Sequence, residues 1–231
     1  MAAPLPLTEE QVQELLEKKR LWAAEHKEHG ACQNPKCRCV ECTCGAACTC
    51  NISPDVTCDP CKTFKAAMAA KANESRLEAA EAFYSANVAP TSLDVPCLLA
   101  EEVKSRRKEE EGSLVLVDCR SDEERAVSTI PGAIAIAEFE AEPQRYGDGK
   151  LVVVFCTIGG RSAKVAQRLL QLPAKPWAEV KNFQLGILGW CHQGGELVDP
   201  AGAATNKVHP RSETMAGMFP MAGYEIVMET A

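Results

Sequence analysis

Hydrophobic positions follow two regimes along the chain. From residue 92 onward they gather in short unbroken runs, Leu114-Val115-Leu116-Val117 and Leu151-Val152-Val153-Val154-Phe155, with weaker runs at 133–137 and 180–183. Runs of β-branched and aromatic residues without polar alternation suit strands covered on both faces of a parallel sheet. Helical spacing fills the intervals, over residues 95–107 and at Val165, Leu169 and Leu170. Strands alternating with helices predict an α/β domain over residues 92–200, a parallel sheet flanked by helices. Before residue 92 the pattern is helical or absent. Thr8 is a candidate N-cap with Gln11 at the capping-box position, and Val12, Leu15, Leu16, Lys19, Trp22 and Ala23 continue at helical spacing toward Gly30, giving an N-terminal helix within 1–30.

Residues 62–91 are rich in Ala, Lys and Glu and form a helical linker, opened by Asp59-Pro60 as N-cap and first-turn proline. Phe64 and Met68 define one stripe and Leu77, Tyr84 and Val88 another, out of phase with it. The favoured reading is a break near Asn73-Glu74-Ser75, with Asn73 capping a second helix; a continuous helix of about 27 residues would instead span about 40 Å and turn a different face to each side. After Val198 the prolines and glycines exclude long elements, so residues 201–231 read as an extension wrapping the domain, anchored by Met215, Met218, Phe219, Met221, Tyr224 and Ile226.

The remaining stretch, residues 31–61, has almost no aliphatic side chains and cannot fold by burying a core. It holds nine of the thirteen cysteines: Cys32, Cys37, Cys39, Cys42, Cys44, Cys48, Cys50, Cys58 and Cys61. No apolar run reaches membrane-span length, and the N-terminus lacks the basic region and apolar core of a signal peptide, so the expected compartment is cytoplasmic. Reducing conditions there favour metal over disulfides. Interleaved Cys-x-Cys pairs place too many sulfurs within mutual reach for single-ion sites, so bridging thiolates are expected around soft Zn²⁺, Cd²⁺ or Cu⁺. Nine thiolates with three bridging fill about twelve tetrahedral positions, for three ions; with His26, His29 and five bridging sulfurs they fill about sixteen, for four. His26 and His29 continue the apolar face of the first helix, either as ligands or as exposed residues favourable at a helix C-terminus. The stretch resembles metallothioneins, in particular those in which histidines join a cysteine cluster, over about residues 26–61.

The other four cysteines, Cys97, Cys119, Cys156 and Cys191, are scattered through the α/β region. Cys156 follows the longest apolar run directly and precedes Thr157-Ile158-Gly159-Gly160-Arg161-Ser162. A thiol at the carboxyl end of a central strand, facing the N-terminus of the next helix, meets converging backbone N–H groups. Gly159 and Gly160 allow the loop to curl, Arg161 adds positive charge, and the thiol pKa is expected within about 3.5 to 7.5. A net charge of −7 argues against nucleic acid as a partner, and the basic run at 104–108 is followed at once by three glutamates.

Cys-Thr-Ile-Gly-Gly-Arg-Ser resembles the active-site loop of rhodanese-like sulfurtransferases. Two flanking segments agree: Asp118-Cys119-Arg120 with Ile130-Pro131-Gly132-Ala133, and Gly186-Ile187-Leu188-Gly189-Trp190 after the strand at 180–183. The resemblance covers residues 92–198 and implies a rhodanese-like sheet in which residues 157–162 cradle a persulfide on Cys156. It implies a thiosulfate or persulfide donor, a thiol or protein acceptor and no organic cofactor; membranes are not expected as partners. Arg161 would position the anionic donor, Ser162 would cap the helix, and Asp118 with Arg120 would form a structural ion pair. Ser128-Thr129 replace the family's usual Gly-His, read as a change at the substrate rim. Phosphatases and arsenate reductases on related scaffolds have one more residue between cysteine and arginine, and this narrower loop favours a sulfur atom. Cys119 sits just past a strand end and can approach Cys156, as a buried structural residue or as a thiol that resolves a persulfide. Trp190 and Phe183 read as core, His192 and His209 as surface. The expected protein is therefore a sulfurtransferase coupled to a thiolate cluster of three to four ions. The alternative is a metal-binding or detoxification protein whose rhodanese-like domain only senses or docks.

Overall fold

Five apolar residues in succession place alternate side chains on opposite faces of a strand, and the strand Leu151–Phe155 (β4) is buried on both. The computed structural model describes residues 8–25, 59–92, 94–109 and 112–228. Two compact units meet at Lys71 and Ala72 in sequence.

In the first unit, helix α1 (Glu9–Glu25) opens with the expected capping box. The Thr8 amide donates to Gln11 Oε1 at 3.0 Å and the Gln11 amide to Thr8 Oγ1 at 3.3 Å. Lys19 and Ala23 are its buried positions.

Helix α2 (Asp59–Asn87) is continuous where a break near Asn73 is the favoured sequence reading. Asn73 caps nothing: its Oδ1 accepts the Met221 amide at 2.8 Å. The second unit begins at Ala72, so the last turns of α2 are part of it, and Ala80, Tyr84 and Val88 are buried in its core. The second stripe of the linker is thus a core face rather than the sign of a new helix.

Beyond α2 follow β1 (Cys97–Leu98), α3 (Ala100–Glu109), β2 (Leu114–Asp118), α4 (Asp122–Val127), β3 (Ile134–Ala135), α5 (Ile136–Ala141) and α6 (Pro143–Gly147). After β4 come α7 (Gly160–Leu170), β5 (Glu179–Phe183) and α8 (Gly186–His192). The strands form a parallel five-stranded sheet in the order β1-β5-β4-β2-β3, with β4 at its centre, and helices flank it. This is the parallel α/β sheet flanked by helices that the sequence predicts for residues 92–200; the metal-organised cysteine-rich module expected before it lies outside the described residues.

Strand alternation divides the interior in two. Val152 and Val154 join Val115, Val117 and Val180 beneath Ala166 and Leu169 of α7 and Phe139 of α5. Val153 and Phe155 join Leu116 and Phe183 on the other face, under α2, α3 and α8. The expected strand at 133–137 is cut to two residues because Ile136 already starts α5. The expected helix at 95–107 likewise yields its first residues to β1.

At the end of the domain β6 (Leu197–Val198) pairs with β7 (Ala204–Thr205) of the extension, which continues with β8 (Lys207–Val208), α9 (Glu213–Ala216) and β9 (Glu225–Ile226). It does more than wrap the surface. Val208, Met215 and Phe219 enter the larger core, and Arg76 of α2 donates to Phe219 O at 2.8 Å. Truncating a fully buried Phe side chain costs about 3–5 kcal/mol. Phe219→Ala should therefore lower stability by that amount in urea unfolding followed by circular dichroism; a loss of a few tenths would show that the extension lies loosely on the domain.

Candidate active site

Because β4 ends at the centre of the sheet, Cys156 emerges among the ends of its neighbours rather than at an edge. The loop closes behind it at once. Gly159, in the left-handed region at φ +96°, is the N-cap of α7, and its amide donates to Cys156 Sγ at 3.2 Å. The Ser162 amide bonds the same sulfur, and the Ser162 hydroxyl lies 3.6 Å from it. Cys156 itself is only 1% exposed.

Ser162 is not the helix cap expected of it. Its hydroxyl points inward and donates to Asn182 Oδ1 of β5 at 2.7 Å, and Asn182 in turn donates to Tyr84 Oη of α2 at 3.4 Å. A polar chain thus runs from the sulfur to α2. The outer wall of the loop is α8, whose first residues bond it directly: the Ile187 amide to Cys156 O at 3.0 Å and the Leu188 amide to Thr157 O at 3.1 Å. That approach requires glycine at 186, where φ is +47° and an added Cβ would stand 2.1 Å from Cys156 O.

Arg161 also differs from expectation. Both terminal nitrogens of its guanidinium fork onto the Glu124 carboxylate, at 2.5 and 2.7 Å, rather than standing free for a donor anion. Thr157 Oγ1 donates to Glu124 Oε1 at 2.8 Å and accepts from Arg161 at 3.0 Å. Glu124 Oε2 also accepts the Ser121 amide, closing a capping box at the start of α4. A carboxylate has about four acceptor positions, and here all are filled. Glu124 is the functional residue that sequence reasoning missed. Its signal was present as Ser121-x-x-Glu124, the capping-box spacing, within three consecutive acids, Asp122 to Glu124, of which nothing local singles out the last.

The neighbouring pair behaves as the sequence implied. Asp118 and Arg120 are buried and joined at 2.7 Å, and Arg120 also donates to Ser128 O at 2.6 Å. Ser128 and Thr129 are not at an open rim: Ser128 is fully buried, and Thr129 donates to Asp118 Oδ2 at 2.7 Å while bridging to Val198. Ile158 and Trp190 are core, as is Phe183. His192 is half-buried against Met218 O, with its pKa lowered by that burial; His209 is half-buried too and meets Met228 O.

Burial alone would push the Cys156 pKa up. The Cys119 thiol, the Ser162 amide, the Arg161 charge and the Ser162 hydroxyl together outweigh it and hold the pKa well below the ordinary thiol value. Cys119 moves the opposite way, pushed up first by its hydrogen bond to Cys156, then by burial and by the Cys156 and Asp118 charges. Burial likewise raises Glu124, but Arg161, the Ser121 amide and Thr157 bring it down to about 2.

The metal candidates His26, His29, Cys32, Cys37, Cys39, Cys42, Cys44, Cys48, Cys50 and Cys58 lie outside the described residues, and Cys61 falls in the first turn of α2. Among the described residues no three His, Cys, Asp or Glu side chains converge into a metal-holding cluster. No described helix is long and apolar enough to cross a membrane.

Residues 99–193 match the family model of the rhodanese-like domain. No curated protein matches the chain. Among solved structures it is similar to a thiosulfate sulfurtransferase from Pseudomonas aeruginosa, at 25% identity and a TM-score of 0.40 over 55% of this chain but only 23% of that one. It is also similar to a rhodanese-like domain protein from Staphylococcus aureus, at 26% identity and a TM-score of 0.35, over 41% of this chain and 90% of the other. A rhodanese-related protein from Thermoplasma volcanium matches at 23% identity and a TM-score of 0.37, over 45% and 97%.

Glu124 gives the site a pH signature. Its folded pKa of about 2 lies below the unfolded value of 4.5, so its contribution to stability is complete above about pH 4.5 and is lost as pH falls toward 2. Arg161→Met leaves that carboxylate buried without its cation and should cost about 3–5 kcal/mol at pH 7. The gap to wild type, measured by urea unfolding, should narrow at pH 3, where the unpaired carboxyl takes up a proton; a gap independent of pH would contradict the pairing. Gly186→Ala should prevent stable folding, since the new Cβ meets backbone rather than a movable side chain.

Proposed function

We propose that the protein is a sulfurtransferase that carries sulfur as a persulfide on Cys156. The observation that carries this reading is the cage of donors around a buried sulfur. The Gly159 and Ser162 amides, the N-terminus of α7 and the Arg161 charge favour negative charge at Sγ in a site that excludes water. The match of residues 99–193 to the family model of the rhodanese-like domain supports the same chemistry.

The Cys156 thiolate attacks the outer sulfur of thiosulfate or of a persulfide. With thiosulfate the bond between the two sulfurs of the donor breaks, sulfite leaves with the electron pair, and the outer sulfur remains on Cys156 as a persulfide anion. A thiol acceptor then removes it. Gly159 and Gly160 keep side chains out of the loop, while Thr157 and Arg161, tied to Glu124, fix its width. Arg161 acts on the sulfur through its charge, and its arms are engaged in holding the loop.

The cysteine-rich segment supplies the second half of the proposal: a cluster of about three to four Zn²⁺, Cd²⁺ or Cu⁺ ions on its thiolates, with His26 and His29 as further ligands. The support is the spacing of nine cysteines in a segment with almost no aliphatic side chains. In the alternative, the metal cluster is the working part and the rhodanese-like domain serves as a sensor or dock.

Sulfur transfer from thiosulfate to cyanide should fall at least about a thousandfold in Cys156→Ser, with an unchanged circular-dichroism spectrum; retained turnover would overturn the reading. Native mass spectrometry of the same samples should show three to four bound ions in both proteins. Metal in both with negligible turnover in wild type would favour the sensor or dock.

A further inference from the structure

A second thiol stands beside Cys156, and the transfer step leaves it unused. The register of the parallel sheet pairs Asp118 of β2 with Phe155 of β4. The next residue of each strand is a cysteine, so Cys119 and Cys156 leave the sheet at the same level on adjacent strands. Adjacent strands run about 4.8 Å apart, and a disulfide spans Cα separations of about 4.4–6.8 Å. The Cys119 amide donates to Phe155 O at 2.9 Å, which extends the ladder by one residue and holds this register.

The side chain is directed to the same place. The Cys119 thiol donates to Phe155 O, the carbonyl immediately before Cys156, at 3.0 Å, and its sulfur is close enough to Cys156 for each to shift the pKa of the other. Both cysteines are free. The remaining free cysteines among the described residues are otherwise engaged: Cys97 meets Tyr84 Oη and Asn182, and Cys191 lies in the larger core.

We propose that Cys119 resolves the Cys156 persulfide, forming a Cys119–Cys156 disulfide and releasing hydrosulfide, so that the domain discharges its sulfur as free sulfide at the expense of a small dithiol. The inference rests on the sulfurtransferase reading, which supplies the persulfide. The Cys119 sulfur attacks Cys156 Sγ; the bond from Sγ to the outer sulfur breaks, and its electron pair leaves with that sulfur, which takes the Cys119 proton. The outer sulfur is reduced to sulfide, and the two cysteine sulfurs are oxidised to a disulfide. A dithiol then returns two electrons and two protons by thiol–disulfide exchange, restoring both thiols.

Two features of the site suit this step. The loop amides approach Sγ from the α7 side, while Cys119 approaches it from the neighbouring strand. Before loading, Cys119, its pKa raised beside Cys156, keeps its proton on Phe155 O, so the nucleophile that approaches the persulfide also carries the proton that the departing sulfur takes.

The test uses the full chain as wild type, Cys119→Ser, Cys119→Ala and Cys156→Ser, loaded with thiosulfate, freed of excess donor and alkylated at intervals without reductant. Cys119→Ser keeps a hydroxyl donor beside Cys156, and Cys119→Ala controls for it. Wild type should lose its sulfur adduct, gain a disulfide mapped to Cys119 and Cys156 and release one sulfide per disulfide. Both Cys119 variants should keep the adduct on Cys156 and release sulfide at least about tenfold more slowly. A wild-type adduct that persists, or that discharges through a different cysteine pair, overturns the resolving role and leaves the sulfurtransferase reading standing. Absence of an adduct from wild type and both Cys119 variants overturns the two together.

Discussion

A sulfur atom that solvent barely reaches, ringed by groups that lower its pKa, is the constraint around which this domain is built. Burying an ion without partners is costly, and a thiol in that position would ordinarily keep its proton. Here the loop supplies amides from Gly159 and Ser162, the Ser162 hydroxyl and the Cys119 thiol lie beside the sulfur, and Arg161 adds charge. Each of those donors is itself held by something else. Arg161 is held by Glu124, Glu124 by α4 and Thr157, Ser162 by Asn182, and the loop carbonyls by the first amides of α8. The site is therefore rigid because its satisfied hydrogen bonds are shared between elements.

The same logic explains why the fold takes up so much of the chain outside the sheet. β4 must be covered on both faces for the loop at its end to be dry, and its alternating side chains call for two separate cores. One is completed by α5 and α7. The other needs the last turns of α2 and the C-terminal extension, which contribute Tyr84 and Val88 and Met215 and Phe219 to the same core. Tyr84 also closes over Gly159, where an added Cβ would approach its ring to 2.9 Å. Segments that look peripheral in sequence thus contribute both to core volume and to the shape of the loop.

Much of this was legible before the structure. The strand Leu151–Phe155, the loop after it, the pairing of Asp118 with Arg120 and the Thr8 capping box all follow from local pattern, because each depends on residues close in sequence. What was not legible depends on distant partners. Glu124 lies 37 residues before Arg161, and nothing local distinguishes it from the acids beside it. Asn73 was read as a helix cap because its real partner, the Met221 amide, is 148 residues away. Ser162 is a good cap by composition, yet a sulfur and an amide oxygen within reach of its hydroxyl attract it inward. Thr129, read as part of a substrate rim, is held inward by a partner far along the chain, its bridge to Val198. The cysteine-rich segment is the converse case: its spacing speaks for metal without any appeal to tertiary structure.

The most direct test of the account is the protonation state of Cys156. Ultraviolet titration of thiolate absorbance, taken as the difference between wild type and Cys156→Ser, isolates this sulfur from the other twelve. The structure predicts a half-point well below the ordinary thiol value of about 8.5. A half-point at or above that value would mean that burial prevails over the donors, and that the loop is a closed scaffold rather than a cradle for reactive sulfur.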